Sequence, residues 1–535
     1  MVQLGRRTTL LAGVGIGAAP ALGLGAVSRW RPGAPAQVRD RIDLPTGARS
    51  GEVSTDSAVV WARAGGEGRM SVRLRSNGRT LRSLRGPWTD ARTDHTARLH
   101  LTGLAPGRQY DADVWFSGPD GTRGRTERIA FRTAPAHPAA TSFVWSGDTC
   151  GQGWGINPDL GGLTAYRAML ATRPDFFVHA GDTIYGDEPM EESVVEDDGQ
   201  VWRNLMTDAV AHVAQTLEDF RGRHRYSLLD ANVRALYAEV PTIAQWDDHE
   251  TMNNWFPGEL HDDDRYAERR VDVLARRGRR AWQEYQPVPV RRPVDGAGDG
   301  FASSRIYRRV PRGPHLDLFC LDMRSYRGRN DTAGRAGEPG ILGPAQEQWL
   351  IDQVTRSSAT WKVISADLPL SLRSTHADDL DSVANGDPGA PTGREEELAR
   401  VLAAFRRAGV RNVVWLTADV HYTAAHHYRP DRATAFTDFD PFWEFVSGPI
   451  ASETFPAKVP DATFGAEVVF ARGNDSGRRQ SPRAGNQFFG HVAIAADGLL
   501  TVTLHDGSGA ALWSTDLEPQ PTGVASRPIV ASRRT

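Results

Sequence analysis

Asp175-Phe176-Phe177-Val178-His179-Ala180-Gly181-Asp182-Thr183-Ile184-Tyr185-Gly186-Asp187 is the stretch on which the reading of this chain turns. Phe176 to Val178 is short, apolar and bulky, as a buried strand requires, and Gly181 frees the backbone for a sharp turn beside Asp182. The same order of strand, turn and ligand-type side chains recurs elsewhere. Phe143-Val144-Trp145-Ser146 leads into Gly147-Asp148-Thr149-Cys150, Gln245-Trp246 into Asp247-Asp248-His249-Glu250 with Asn253-Asn254 just beyond, and Leu416-Thr417 into Ala418-Asp419-Val420-His421.

Working outward, further apolar runs at 142–146, 242–246, 316–321, 361–366 and 413–417 are separated by longer, partly amphipathic stretches. Helices are expected at 164–172, 200–221, 265–286, 343–356 and 394–408. This alternation predicts an α/β domain whose central sheets are covered by helices. In such sheets, sites form in the crevice outside the carboxyl ends of the strands, where loops converge side chains on one point. A single Asp at a strand end has an ordinary account as a helix cap or turn residue. Four Gly/Asp/His/Cys ends in one domain make a shared cation the economical account.

Residues 51–133 have a different texture, with short alternating runs at 57–61, 70–74 and 97–101 broken by Gly, Asp and Asn, the pattern of a small β-sandwich. Leu104-Ala105-Pro106-Gly107-Arg108-Gln109-Tyr110 resembles the tyrosine corner of fibronectin type III domains. The Ala- and Pro-rich segment 134–140 reads as a linker. The first 36 residues carry Arg6-Arg7, a small-residue apolar run and Ala34-Pro35-Ala36, the pattern of a cleaved signal of the twin-arginine type. Export through the twin-arginine machinery, to the periplasm, cell wall or medium, is therefore expected. No other segment is long and apolar enough to cross a membrane. The expected boundaries are 1–36 signal, 37–135 sandwich, 141–515 α/β domain with the clustered strand ends, and 516–535 loose tail.

A hydrophobic fraction of 40%, a charged fraction of 24% and a formal charge of -3 describe a globular chain with no strong electrostatic preference. Basic residues form no stripe with interleaved aromatics, which excludes a nucleic-acid binding platform. With only two cysteines, Cys150 and Cys320, there is no disulfide scaffold. Cys320 lies in an apolar run and reads as a core residue, whereas Cys150 stands on the Asp148 turn.

These motifs resemble the calcineurin-like metallophosphoesterases, and within them the alkaline phosphatase D family, which includes phospholipase-D-like phosphodiesterases. The resemblance spans roughly residues 40 to 510 and rests on Gly-Asp-Thr-Cys at 147–150, His-Ala-Gly-Asp-Thr-Ile-Tyr at 179–185 and Trp-Asp-Asp-His-Glu at 246–250. Leu-Asp-Met-Arg-Ser-Tyr-Arg at 321–327, Gly-Pro-Ala-Gln-Glu-Gln-Trp-Leu at 343–350 and Ala-Asp-Val-His-Tyr at 418–422 extend it. It implies a two-sheet α/β sandwich flanked by helices behind a fibronectin type III-like β-sandwich. It also implies ferric iron on Cys150, Asp182, Tyr185 and His421, with Asp148 at or near the same ion and Asp182 bridging to a second metal. That second ion would take Asp248 and Asp419, with Asn254 a weaker candidate. Calcium is usual there, with Mn2+, Mg2+ or Zn2+ as alternatives. Phenolate and thiolate suit iron, and carboxylate and amide oxygens suit a hard divalent ion. Cys150 departs from the wider superfamily, where His is commoner, and Asp248 stands where Asn is usual.

The activity implied is hydrolysis of phosphate monoesters, diesters or both by water that a metal pair activates for in-line attack. A phospholipase D-like phosphodiesterase is the alternative within the class, and an inert secreted binding protein the alternative outside it. His249, beside Asp248, is the candidate general acid for the leaving alkoxide. Arg324 has two readings, a planar clamp on phosphate or a partner for a nearby carboxylate. Loops at 187–198 and 376–392 are expected to frame the site.

Overall fold

A computed structural model of the protein describes residues 41–289, 305–332, 334–373, 380–387 and 389–521. The expected signal at 1–36 and most of the tail from 516 lie outside the described residues. The described residues form one compact unit.

Two mixed sheets lie face to face. The first has nine strands in the order Ala511–Leu517, Leu500–Asp506, Phe488–Ile494, Thr141–Ser146, Phe176–His179, Thr242–Ala244, Ala48–Gly51, Ala58–Arg63 and Thr96–Leu101. The second has seven, in the order Arg308–Pro311, Leu316–Cys320, Trp361–Ser365, Val413–Thr417, Phe442–Val446, Thr423–Tyr428 and Ala466–Arg472. Their centres are parallel: 141–146 pairs with 176–179 and that with 242–244, while 316–320, 361–365, 413–417 and 442–446 run side by side in the other sheet.

Strand alternation places the core on both faces. Phe143, Trp145, Phe176 and Val178 point inward against Leu318, Cys320, Val363 and Leu416 of the facing sheet. Val144 and Phe177, one residue out of step, point outward onto Tyr166 and Met169 of helix Thr164–Ala171 and Leu236 of helix Ala231–Glu239. On the opposite outer face Phe319, Ile364 and Trp415 meet helices Gly343–Thr355 and Arg394–Arg407. Cys320 is thus a core residue, and burial pushes its thiol up to about 11.

The segment expected to be one helix at 200–221 is broken up. It forms strand Val201–Arg203, a turn of 3-10 helix at Asp208–Val210 and then helix Leu217–Ser227. Thr216 and Asp219 close a reciprocal cap that starts the helix late. The helix expected at 265–286 begins only at Val271.

The front sandwich sets strands Arg79–Trp88, Arg69–Ser76, Gln109–Ser117 and Arg123–Arg132 against Ala48–Gly51, Ala58–Arg63 and Thr96–Leu101. Its Tyr110 hydroxyl accepts a hydrogen bond from Ala105 N at 2.7 Å. The sandwich is also continuous with the nine-stranded sheet of the α/β body, because Gly51 pairs in parallel with Thr242. Side chains reinforce that joint: Trp61 Nε1 donates to Glu284 O at 2.8 Å, and Asp94 gathers Arg63, Arg225 and Tyr285. At the other end, strand Ala511–Leu517 runs past the expected start of the tail, and Gln520 and Asn412 exchange two hydrogen bonds.

Candidate metal centre

The candidate ligands sit where parallel strands stop. Asp148 follows strand Thr141–Ser146, Asp182 and Tyr185 follow Phe176–His179, Asp248 and His249 follow Thr242–Ala244, and Asp419 and His421 follow Val413–Thr417. Both sheets therefore deliver side chains to one end of the sandwich.

The backbone there is held in a conformation that L-residues seldom adopt. Thirteen described non-glycine residues have positive φ, and Asp148, Cys150, Asp182, Asn254, Asp419 and His421 are six of them, at 50–64°. Left-handed residues of this kind cost free energy and persist where surrounding structure fixes them, often at functional sites.

The side chains form overlapping groups whose ligand atoms lie within 4.8 Å of one another: Asp148, Asp182 and His421; Asp182, Asp248 and His249; Asp247, Asp248 and Asp419. Asp182 joins the first pair of groups and Asp248 the second. Tyr185 Oη lies 2.9 Å from His421 Nε2, and that nitrogen is 3.6 Å from Asp148 Oδ1. All are buried apart from the partly exposed Asp419. Asn254 borders the same cleft and donates its backbone N–H to Asp248 Oδ2 at 2.6 Å.

Such a set is electrostatically incomplete without cations. Burial raises Asp148, Asp182 and Asp419 well above the carboxylate range, and neighbouring Asp247 and Asp248 raise them further. Asp148 Oδ2 is buried with no hydrogen-bond partner. Burial brings His421 down to about 3, which keeps its imidazole neutral, as a ligand must be. Its Nδ1 lies 2.6 Å from Glu453 O, leaving Nε2 toward the carboxylates. The donor set therefore fits metal ions.

Cys150 is the exception among the expected ligands. It belongs to the buried apolar cluster that includes Ile156, Tyr226, Ile450 and Ala451, and its thiol lies outside the three groups. Burial pushes it far above the usual thiol range, so a thiolate would form there only against a cation.

Of the two readings of Arg324, the structure supports pairing with carboxylates. The residue is 0% exposed. Its guanidinium bonds Asp247 at 2.6 Å and Asp381 at 2.9 Å, with Asp367, Asp419 and Asp248 at 3.5, 3.6 and 3.8 Å. Fully enclosed, it is not among the residues that border the cleft and lies behind the carboxylates it pairs with.

His249 does border the cleft. Its Nδ1 is bonded to Asp187 Oδ1 at 2.7 Å, its ring stacks on Tyr185 at 4.1 Å, and its backbone N–H reaches Asp182 and Asp248. Burial works to lower its pKa, but Asp187, Asp248 and Asp182 outweigh that and raise it well above 6.5.

Several contributors escape a sequence reading. Glu250 accepts from the backbone N–H of Asp182, Thr183 and Asp247 and so binds two ligand turns together. Asp187 orients His249, and its sequence signal is its place at the end of the 175–187 stretch, just beyond the 179–185 motif. Asp367 and Asp381 complete the cage of Arg324. The cleft, about 540 Å³, is also bordered by Arg373, Phe455 and Lys458, on loops whose sequence carries no signature. Of the loops expected to frame the site, Asp187 and the described Asp381 and Ser382 do reach it.

Comparison with known proteins agrees with this geometry. The PhoD-like phosphatase family matches residues 143–502, and the N-terminal domain of PhoD-like phosphatases matches 30–135. Alkaline phosphatase D of Bacillus subtilis (strain 168) is 27% identical over 417 residues, covering 72% of this chain. The chain spans 65% of the length of that relative. A solved PhoD structure superposes with a TM-score of 0.67 at 20% identity, covering 92% of this chain and 94% of the other. Purple acid phosphatase PPD1 from yellow lupin (Lupinus luteus) seeds gives 0.53 at 13% identity, covering 88% and 73%, so the fold is shared. With strand ends, buried carboxylates and the matched residues coinciding, this chain belongs to the PhoD-like phosphatase family.

Proposed function

We propose that the protein is an exported, metal-dependent phosphoesterase that hydrolyses phosphate monoesters, diesters or both. The observation that carries this reading is the chain of shared carboxylates, in which Asp182 and Asp248 each belong to adjoining ligand groups. That arrangement suits a pair of neighbouring cations better than one ion or none.

In this reading Asp148, Asp182, Tyr185 and His421 hold Fe3+, and Asp182, Asp248, Asp419 and Asn254 hold Ca2+ or another hard divalent ion. Cys150 joins the iron set on the resemblance and on its place in the Asp148 turn. When bound, the pair supplies a nucleophile at neutral pH and charge to stabilise an in-line displacement. The chain's own residues do the rest. Asp187 fixes the His249 ring through Nδ1, leaving Nε2 to protonate the leaving oxygen. Arg324 and Glu250 hold the carboxylates and their turns in place. Lys458 and Arg373 stand at the cleft to meet the phosphate charge. The front domain, with Tyr110 tied to Ala105, is proposed as fibronectin type III-like, and the segment 1–36 as a twin-arginine signal.

The test is turnover of 4-nitrophenyl phosphate and its bis ester by purified protein before and after chelation and refilling. Activity lost on chelation and restored by added metal supports the proposal. Full activity in metal-free protein, or none in metal-loaded protein, refutes it.

A further inference from the structure

Phe455 is the only phenylalanine among the described residues that remains substantially exposed, at 38%. It stands at the metal centre. Its ring lies parallel to that of His421, with centroids 5.1 Å apart and planes 15° apart, and its backbone N–H donates to His421 O at 3.1 Å. Pro456 and Ala457 follow it along the cleft, and Leu368, Pro369 and Leu372 border the same cleft from another loop. Leu368 and Leu372 are themselves buried, at 2% and 3% exposure, and back the shelf whose open face is Phe455 and Pro456. The two loops are joined where Ala457 packs against the cluster that contains Leu372 and Asp461 N donates to Ser371 O at 2.7 Å.

An apolar shelf beside buried carboxylates has no role in gripping phosphate, whose charge needs cations and N–H donors. Exposed apolar surface continuous with a ligand cleft marks a contact for an apolar ligand group. From these observations we infer that Phe455 and its neighbours form a subsite for an aromatic or other apolar organic group esterified to the phosphate. Phe455 is then a specificity residue, with its ring face taking the organic group while the phosphate sits over the metal ligands. The cleft volume of about 540 Å³ suits a substrate of that size. This inference rests on the phosphoesterase reading of the same site.

The test uses the metal-loaded full chain and compares 1-naphthyl phosphate with glycerol 2-phosphate. In Phe455→Ala, the loss of kcat/KM on the naphthyl ester should exceed the loss on the glycerol ester by about tenfold, equivalent to about 1.4 kcal/mol. Phe455→Leu should restore most of that preference and Phe455→Asn should not. Equal losses on both esters would mean that the ring only supports His421, and the subsite would be rejected. Direct binding of 1-naphthyl phosphate, read by its fluorescence, separates this inference from the catalytic one. Even without turnover, Phe455→Ala should weaken binding about fivefold, and an unchanged Kd would overturn the subsite.

Discussion

Replacing Arg324 with methionine keeps much of the side chain's bulk and removes the one guanidinium that five carboxylates share. Its bonds to Asp247 at 2.6 Å and Asp381 at 2.9 Å are charge-assisted and fully buried. Each such bond contributes about 1.5–3 kcal/mol, so two bring the expected loss to about 3–6 kcal/mol. Breaking a buried pair by removing one partner typically costs about 3–5 kcal/mol, which agrees. Burial already raises Asp247 and Asp367, and Arg324 is the charge that most opposes this, with Arg327 adding a smaller opposing effect at Asp367 and a second ion pair to Asp381. Without Arg324 these groups must be protonated or stay as unpaired buried anions. Urea unfolding of metal-stripped Arg324→Met at neutral pH should therefore show a loss of at least about 3 kcal/mol. The loss should shrink at pH 5, where protons replace the missing charge, and on adding divalent ions, which bind the folded form. A loss below about 1 kcal/mol accompanied by a raised KM would refute the reasoning and return Arg324 to the role of a phosphate clamp.

Three further outcomes are expected. Asp187→Asn removes the largest of the three carboxylate influences that raise His249, so the alkaline limb of the pH–rate profile should move to lower pH and kcat should fall about 100-fold. Because the folded His249 pKa is raised, the pair stabilises the fold below pH 6.5 and this contribution fades as pH climbs through the folded value; an unmoved limb would count against the role. At the joint between sandwich and catalytic domain, burial works to raise Asp94, but Arg63 and Tyr285 outweigh it and bring it to about 2. Asp94→Asn should cost about 1–2 kcal/mol at pH 7 after allowing for partly exposed partners, and the difference should close as pH falls from 4 to 2, so a pH-independent difference would contradict this. Cys150→Ala should lower the iron content measured by elemental analysis while Cys320→Ala leaves it intact, and equal iron in both would remove the thiol from the ligand set.

Much of the site was legible because its residues stand at strand ends, where apolar runs make their positions readable. Asp148, Asp182, Asp248, Asp419 and His421 were all identifiable this way, as were the strands 141–146, 176–179 and 413–417. The side-chain direction of Cys150 was not, because a turn places a backbone without choosing between the carboxylates and the apolar cluster around Ile156. Arg324 left two readings open because a guanidinium suits carboxylate and phosphate equally, and only burial separates them. Asp367, Asp381 and Phe455 lie on loops whose place is set by packing far along the chain. The helix expected at 200–221 was misjudged because amphipathic spacing continued across a break marked only by the cap at Thr216. The shared sheet between the front sandwich and the catalytic domain rests on Gly51 pairing with Thr242, a long-range register that no local pattern encodes.

The most direct measurement is metal stoichiometry by elemental analysis of the wild-type chain beside Asp182→Ala. The account predicts a pair of ions in the wild type and the loss of both when the carboxylate common to two ligand groups is removed. A wild type purified in active form without metal, or an Asp182→Ala chain that still holds the pair, would contradict it.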